Sequence, residues 1–223
     1  MSDRRVTGVP IVESGERLID LRTLGVLRVD TRLAGTGDAY PHLRQSVVDR
    51  LVAAQTLLPR GLRLLIVEGY RPMPRRRSFA EYRAKLSAGH PDWPEERVRE
   101  VASRHLAPPE TAAHVAGAAA DLTLSTDGGI ELPMGTEVCA APAGLGDRCH
   151  TAATGLPPQA AENRLILATA LTAVNLVNYP AAWWHWSYGD RYWAFVSHAA
   201  AACYGPVAGH VIPAPTSVPP AGR

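Results

Sequence analysis

The stretch from Leu43 to Pro72 constrains this chain more than any other. Leu43, Val47, Leu51, Ala54 and Leu58 recur at steps of three and four, which is one face of an amphipathic helix, and Pro59 stops it. Just beyond, Arg63-Leu-Leu-Ile-Val67 is a short aliphatic run closed by Glu68-Gly-Tyr-Arg71-Pro. Such a run reads as a buried strand that delivers Glu68, Tyr70 and Arg71 at its end, where chemistry is commonly displayed.

The rest of the chain extends this into an α+β pattern. Arg76 to Leu86 and Glu95 to Leu106 read as two further helices; Pro94 and the acidic pair Glu95-Glu96 suit a helix N-terminus, and Pro108-Pro109 ends the pair. Pro158 to Val177 carries Leu167, Leu171, Val174 and Val177 on one helical face. Asp121 to Leu124 and Trp183 to Tyr188 are strand-like, and Arg191 to Val196 reads as a third strand joined to the last by a Gly189-Asp190 turn. The expectation is a single domain over residues 1–204, a central antiparallel sheet flanked by helices. Residues 205–223 form a proline-rich tail expected to be extended or disordered. Pro133 to Gly155 shows neither periodicity and is expected to be a long loop of the kind that is functional or mobile.

Composition excludes several classes. At 223 residues, 46% hydrophobic and 20% charged, the chain can bury one sizeable core. No run reaches the about 18 apolar residues of a membrane span, and Met-Ser-Asp-Arg-Arg is not the apolar start of a secretory signal, so a cytoplasmic protein without a membrane partner is expected. The formal charge is +2, and the densest basic run, Arg75-Arg76-Arg77, has no aromatic residues interleaved with it. A solvated helix face explains that run better than a nucleic-acid contact. Cys139, Cys149 and Cys203 are an odd number without a CxxC pair and read as reduced thiols.

Among the histidines, His114 precedes Asp121 across a run of small residues, and His185 stands in Trp183-Trp184-His185-Trp-Ser187. Two imidazoles and a carboxylate would leave one zinc position open, as in a catalytic site. On spacing alone, a histidine flanked by tryptophans is more often a packed, hydrogen-bonded core residue than a ligand.

His114-Val-Ala-Gly-Ala-Ala-Ala-Asp121 resembles the HxxGxAxD signature of the zinc D-alanyl-D-alanine dipeptidases, the family that includes the vancomycin-resistance dipeptidase. Glu68-Gly-Tyr-Arg71-Pro is similar to the family's [DE]GYRP, Met134-Gly-Thr136 to its MGT turn, and Trp183-Trp184-His185 to its WWH strand, so the resemblance spans about residues 20 to 196. It implies one zinc ion held by His114, Asp121 and His185, with a dipeptide or small amino-acid derivative as partner. It also makes Arg71 the cation that polarises the scissile carbonyl, oriented by Glu68. A surface ion pair is the alternative for Glu68 and Arg71.

One departure matters most. Three residues before His185 the family places the glutamate that moves a proton to the leaving amine, and this chain has Ala182. A methyl group cannot shuttle a proton, and that assistance is worth about 10²–10⁴ in rate. Ala112 and Ala113 stand where the resistance-type enzymes carry serines that hold the dipeptide, and Cys139 replaces an acidic residue. The readings left open are a peptidase impaired by natural divergence or by an engineered base deletion, a zinc enzyme of non-hydrolytic chemistry such as epimerisation or elimination, and a catalytically dead dipeptide-binding protein. Glu137, His150 and Asp190 are candidate replacement bases, and the Cys139 or Cys149 thiol could also lie near the metal. The oligomeric state stays open.

Overall fold

The computed structural model describes residues 3–34, 37–72, 76–105, 112–140 and 146–207. After a short helix α1 (Arg4–Thr7) come strands β1 (Leu18–Asp20), β2 (Arg28–Val29) and β3 (His42–Arg44), helix α2 (Gln45–Leu57) and strand β4 (Leu62–Glu68). Helices α3 (Arg76–Gly89) and α4 (Glu95–His105) follow, then a 3₁₀ turn (Ala113–Ala116), β5 (Ala119–Thr126), α5 (Pro158–Ala173), β6 (Val177–Tyr179), β7 (Ala182–Ser187) and α6 (Arg191–Val196). The fold is α+β. A five-stranded sheet in the order β2-β4-β5-β7-β6 runs through it, and β1 and β3 pair separately.

The predicted first helix is α2, shortened at its start because Leu43 and Arg44 pair with β1 instead. Its last turn opens at Leu58, whose extended ψ of 149° is what a residue before proline adopts. Val47, Val48, Leu51 and Ala54 seal α2 against a core that also contains Leu64, Ile66, Leu122, Leu124, Leu167, Leu171 and Trp183. The predicted helices at Arg76 and Glu95 are α3 and α4, and Arg83 pairs with Glu95 between them. No helix among the described residues is long and apolar enough to cross a membrane.

Three expectations are corrected. The central sheet is mixed, because the two-residue edge strand β2 runs parallel to β4 while the other pairs are antiparallel. Arg191 to Val196 is helical: the Asp190 carboxylate accepts the N–H groups of Tyr192 (3.2 Å) and Trp193 (3.1 Å), an N-cap that overrides the strand preference of Tyr-Trp-Ala-Phe-Val. The hairpin partner of β7 is therefore β6. The helix expected to reach Val177 ends at Ala173, where Asn175 takes a left-handed φ of 62° and frees Val177 for β6.

Much of the expected Pro133 to Gly155 loop is tied down by Arg164 of α5. Its guanidinium donates to the carbonyls of Met134 (2.7 Å), His150 (2.8 Å) and Arg148 (2.8 Å). The expected proline-rich tail lies outside the described residues from position 208 onward. Before that, Gly205 and Val207 donate to Glu13 (2.6 Å) and to the Val115 carbonyl (2.9 Å).

Candidate metal centre

Sheet register builds the site. Glu68 of β4 is paired with Asp121 of β5, and Asp121 with His185 of β7, so three chemically active side chains stand in one row across adjacent strands. A bulge between Ile66 and Glu68 inserts Val67 as an extra residue and turns Glu68 into that row. His114 arrives from the 3₁₀ turn ahead of β5, which Gly117 closes at a left-handed φ of 66°.

The three expected ligands meet. His185 Nδ1 lies 2.8 Å from Asp121 Oδ1, and His114 Nε2 lies 3.2 Å from the same oxygen and 3.1 Å from His185 Nδ1. Ligand bonds of about 2.0–2.1 Å in tetrahedral geometry put donor atoms about 3.3 Å apart, close to this spacing. All three residues are buried, and together they form a group able to hold a metal ion. His114 donates Nδ1–H to the Gly69 carbonyl at 2.6 Å, which orients the Nε2 lone pair toward the other two. Gly69 can make that contact because its backbone runs tightly against its neighbours: a Cβ there would stand 2.5 Å from the His42 carbonyl oxygen.

The electrostatics ask for a cation at this point. Burial works against the Asp121 carboxylate, but His114 and His185 outweigh it and hold its pKa well below the ordinary range. Burial likewise opposes a charged His114, and the Asp121 carboxylate overcomes it and raises the imidazole's pKa. A buried carboxylate of this kind is matched either by an imidazolium or by a metal ion.

Beside this group, Arg71 and Glu68 form a two-pronged ion pair: Nε donates to Oε1 at 2.7 Å and Nη2 to Oε2. Burial opposes both charges, yet the pairing lowers the Glu68 pKa and raises that of Arg71. Glu68 is 9% exposed in its side chain and Arg71 33%, so the pair is anchored in the protein and is not the surface bridge weighed against it. Among the described residues, the side-chain hydrogen bonds of Arg71 use Nε and Nη2.

Cys139 has a left-handed φ of 59° and donates its S–H to Asp121 Oδ2 at 3.2 Å. With Glu68 and Asp121 it forms a second cluster of ligand-type atoms. Burial of the sulfur and then the Asp121 charge raise the thiol's pKa. Cys149 is buried in the core. Ala182 opens β7 opposite Tyr179, whose ring meets His185 edge-on at 6.2 Å and Tyr192 at 5.5 Å. Ala112 is half-buried at the start of the 3₁₀ turn and Ala113 is buried within it. Tyr70 is buried, and Trp184 packs edge-on against Trp183 in the core. Trp183 Nε1 in turn donates to Thr136 of the Met134-Gly-Thr136 turn at 2.7 Å.

Glu137, His150 and Asp190 are in neither ligand cluster of the described residues. Glu137 is exposed, His150 faces Asp147 at 3.6 Å, and Asp190 is the buried cap of α6 with a pKa raised by burial. Sequence reasoning missed the Gly69 carbonyl, the aromatic pair Tyr179 and Tyr192, and the loop anchor Arg164. Only Gly69 had a signal, as the glycine of Glu68-Gly-Tyr-Arg71-Pro.

Residues 38–201 match the model of the D-ala-D-ala dipeptidase family, Peptidase_M15. The chain belongs to that family. A D-alanyl-D-alanine dipeptidase of Synechocystis sp. is 28% identical over 219 residues, which is 84% of this chain and 87% of the relative. Among solved structures, a mutant of the vancomycin-resistance D,D-pentapeptidase VanY from a VanB-type cassette, in complex with Zn(II), is 17% identical with a TM-score of 0.37, covering 80% of this chain and 82% of that one. VanYB in complex with D-alanine-D-alanine is 16% identical with the same TM-score, covering 82% and 84%. Within this dipeptidase family, the chain retains a His/Asp/His group able to bind metal.

Proposed function

We propose that this chain is a zinc protein that acts on a dipeptide or small amino-acid derivative and whose peptide hydrolysis is impaired by Ala182. The observation that carries the reading is the buried convergence of His114 Nε2, Asp121 Oδ1 and His185 Nδ1, with Arg71 fixed beside it. These three residues would hold the zinc, which when bound supplies a Lewis acid and activates a nucleophile. The donor set suits zinc chemically: two imidazole nitrogens and one carboxylate, with no further protein ligand required.

The chain's own groups support the rest. Glu68 locks two nitrogens of Arg71, so the guanidinium presents Nη1 in a fixed direction to a substrate carbonyl and to the negative charge that grows on it. Asp121 would offset part of the charge of a cation held there. The name of the Synechocystis relative favours a D-Ala-D-Ala-like substrate. Ala182 has no proton to give or take. The three free thiols fit a reducing, cytoplasmic setting.

The test is Ala182→Glu. With zinc loaded, the variant should hydrolyse D-alanyl-D-alanine about 10²-fold or more faster than the parent. A variant inert towards a panel of D,D- and L,L-dipeptides, while the parent turns over another amino-acid derivative, would reject the peptidase reading. The same Ala182 that weakens hydrolysis would then favour a non-hydrolytic zinc enzyme.

A further inference from the structure

One buried cation lies behind the metal-ligand group. Arg44, the last residue of β3, is 6% exposed. Its backbone N–H donates to the Gly117 carbonyl at 2.9 Å and its Nε to the Ala116 carbonyl at 2.8 Å. Those two residues close the turn that carries His114, whose own carbonyl accepts the Gly117 N–H at 3.1 Å. The outer face of the guanidinium binds two segments far apart in sequence. Nη1 donates to the Glu16 carbonyl and lies 3.2 Å from the Glu13 carboxylate, Nη2 reaches the Gly205 carbonyl at 3.5 Å, and the Tyr204 ring stands 5.2 Å away.

The same short segment fixes His114 from its other side. The Tyr40 and His42 carbonyls accept the N–H groups of Gly69 (2.6 Å) and Tyr70 (2.7 Å), and the Gly69 carbonyl in turn accepts the hydrogen bond from His114 Nδ1–H. Residues 40–44 thus hold both the backbone turn beneath His114 and the group that orients its ring. A buried guanidinium is costly to desolvate, and apolar packing in its place would commonly be as stable. What an apolar side chain or a lysine cannot reproduce is the rigid fork that meets several carbonyls at once.

We propose that Arg44 is a positioning residue for His114: it sets the metal affinity of the centre and links that affinity to the segments around Glu13 and Gly205. The inference rests on reading His114, Asp121 and His185 as the metal site.

The experiment uses the full chain, stripped with a chelator, as the parent and as Arg44→Gln, Arg44→Lys and Glu13→Gln. Zinc affinity is read by competition with a chromophoric chelator, ligand geometry from the visible spectrum of the Co(II)-loaded protein, and stability from the melting temperature of the stripped protein. Arg44→Gln should bind zinc about 10–100-fold more weakly, with a changed Co(II) spectrum. Arg44→Lys should fall between it and the parent, and Glu13→Gln should show a smaller loss in the same direction. If Arg44→Gln does not fold, the other two variants decide by the same readouts. Variants that melt earlier but keep the parent's zinc affinity and Co(II) spectrum would make Arg44 merely structural and overturn the inference. A parent chain that binds no metal would overturn the metal reading as well, so the two failures are distinct.

Discussion

On one side of the candidate centre, Glu68, Asp121 and His185 stand in register across three strands while His114 is held from the Gly69 carbonyl. By contrast, Ala182 at the start of β7 offers only a methyl group, Glu137 is exposed, and Cys139 donates its S–H to Asp121. The first side is made of buried, mutually paired groups of the kind that hold a cation. The proposed loss of proton transfer rests on this second set. The two sets meet in β7, which opens with Ala182 and carries His185 three residues later.

The largest effect expected from disturbing the intact side is at Arg71. In the Ala182→Glu background, Arg71→Ala should lower hydrolysis by about 10²–10³, the worth of one fixed oxyanion donor. It should also cost stability, about 1–3 kcal/mol once the partial exposure of Arg71 is allowed for, because Glu68 would be left as a buried, unpaired carboxylate. Adding Glu68→Gln should return part of the melting temperature and none of the rate. Recovery of activity by that second change would show that the pair only serves the fold.

A smaller effect distinguishes a metal from a proton at the intact side. Asp121 and Glu68 have lowered pKa values, so the stability they contribute is present above their ordinary 3.8 and 4.5 and is lost as pH falls through the lower folded values. His114 is raised above 6.5, so without metal its contribution is present below 6.5 and is lost as pH rises through the folded value. Chelator-treated protein should therefore melt earlier on the alkaline side. Zinc-loaded protein should show no such loss, since zinc binding strengthens as protons leave the imidazole. Identical alkaline limbs with and without zinc would contradict the assignment of His114.

The smallest expected effect concerns the element that follows β7. Asp190→Ala should destabilise the protein by about 0.5–2 kcal/mol by uncapping α6, with zinc content unchanged. Loss of zinc in that variant would instead place Asp190 in the metal-holding side.

The long periodic elements of this fold are legible in the sequence, because burying one face of α2 or both faces of β4 requires a spacing that can be counted. Arg191 to Val196 is not, since its composition is that of a strand and a single carboxylate cap decides for helix. The edge strand β2 is two residues long, too short to leave a pattern. At the site, the residue types and their order are legible, and the resemblance to the dipeptidase family points to His114, Asp121 and His185. The register that aligns Glu68, Asp121 and His185, and the arginines Arg44 and Arg164 that bind carbonyls far away in sequence, are products of tertiary packing. No local spacing encodes them.

The most direct test of the central claim is the metal content of the untagged chain, set beside His114→Ala and His185→Ala. Elemental analysis after exhaustive dialysis should find close to one zinc per chain in the parent and essentially none in either variant, with Ala182→Glu retaining the parent's content. A parent chain free of zinc, or variants that hold as much zinc as the parent, would contradict the account.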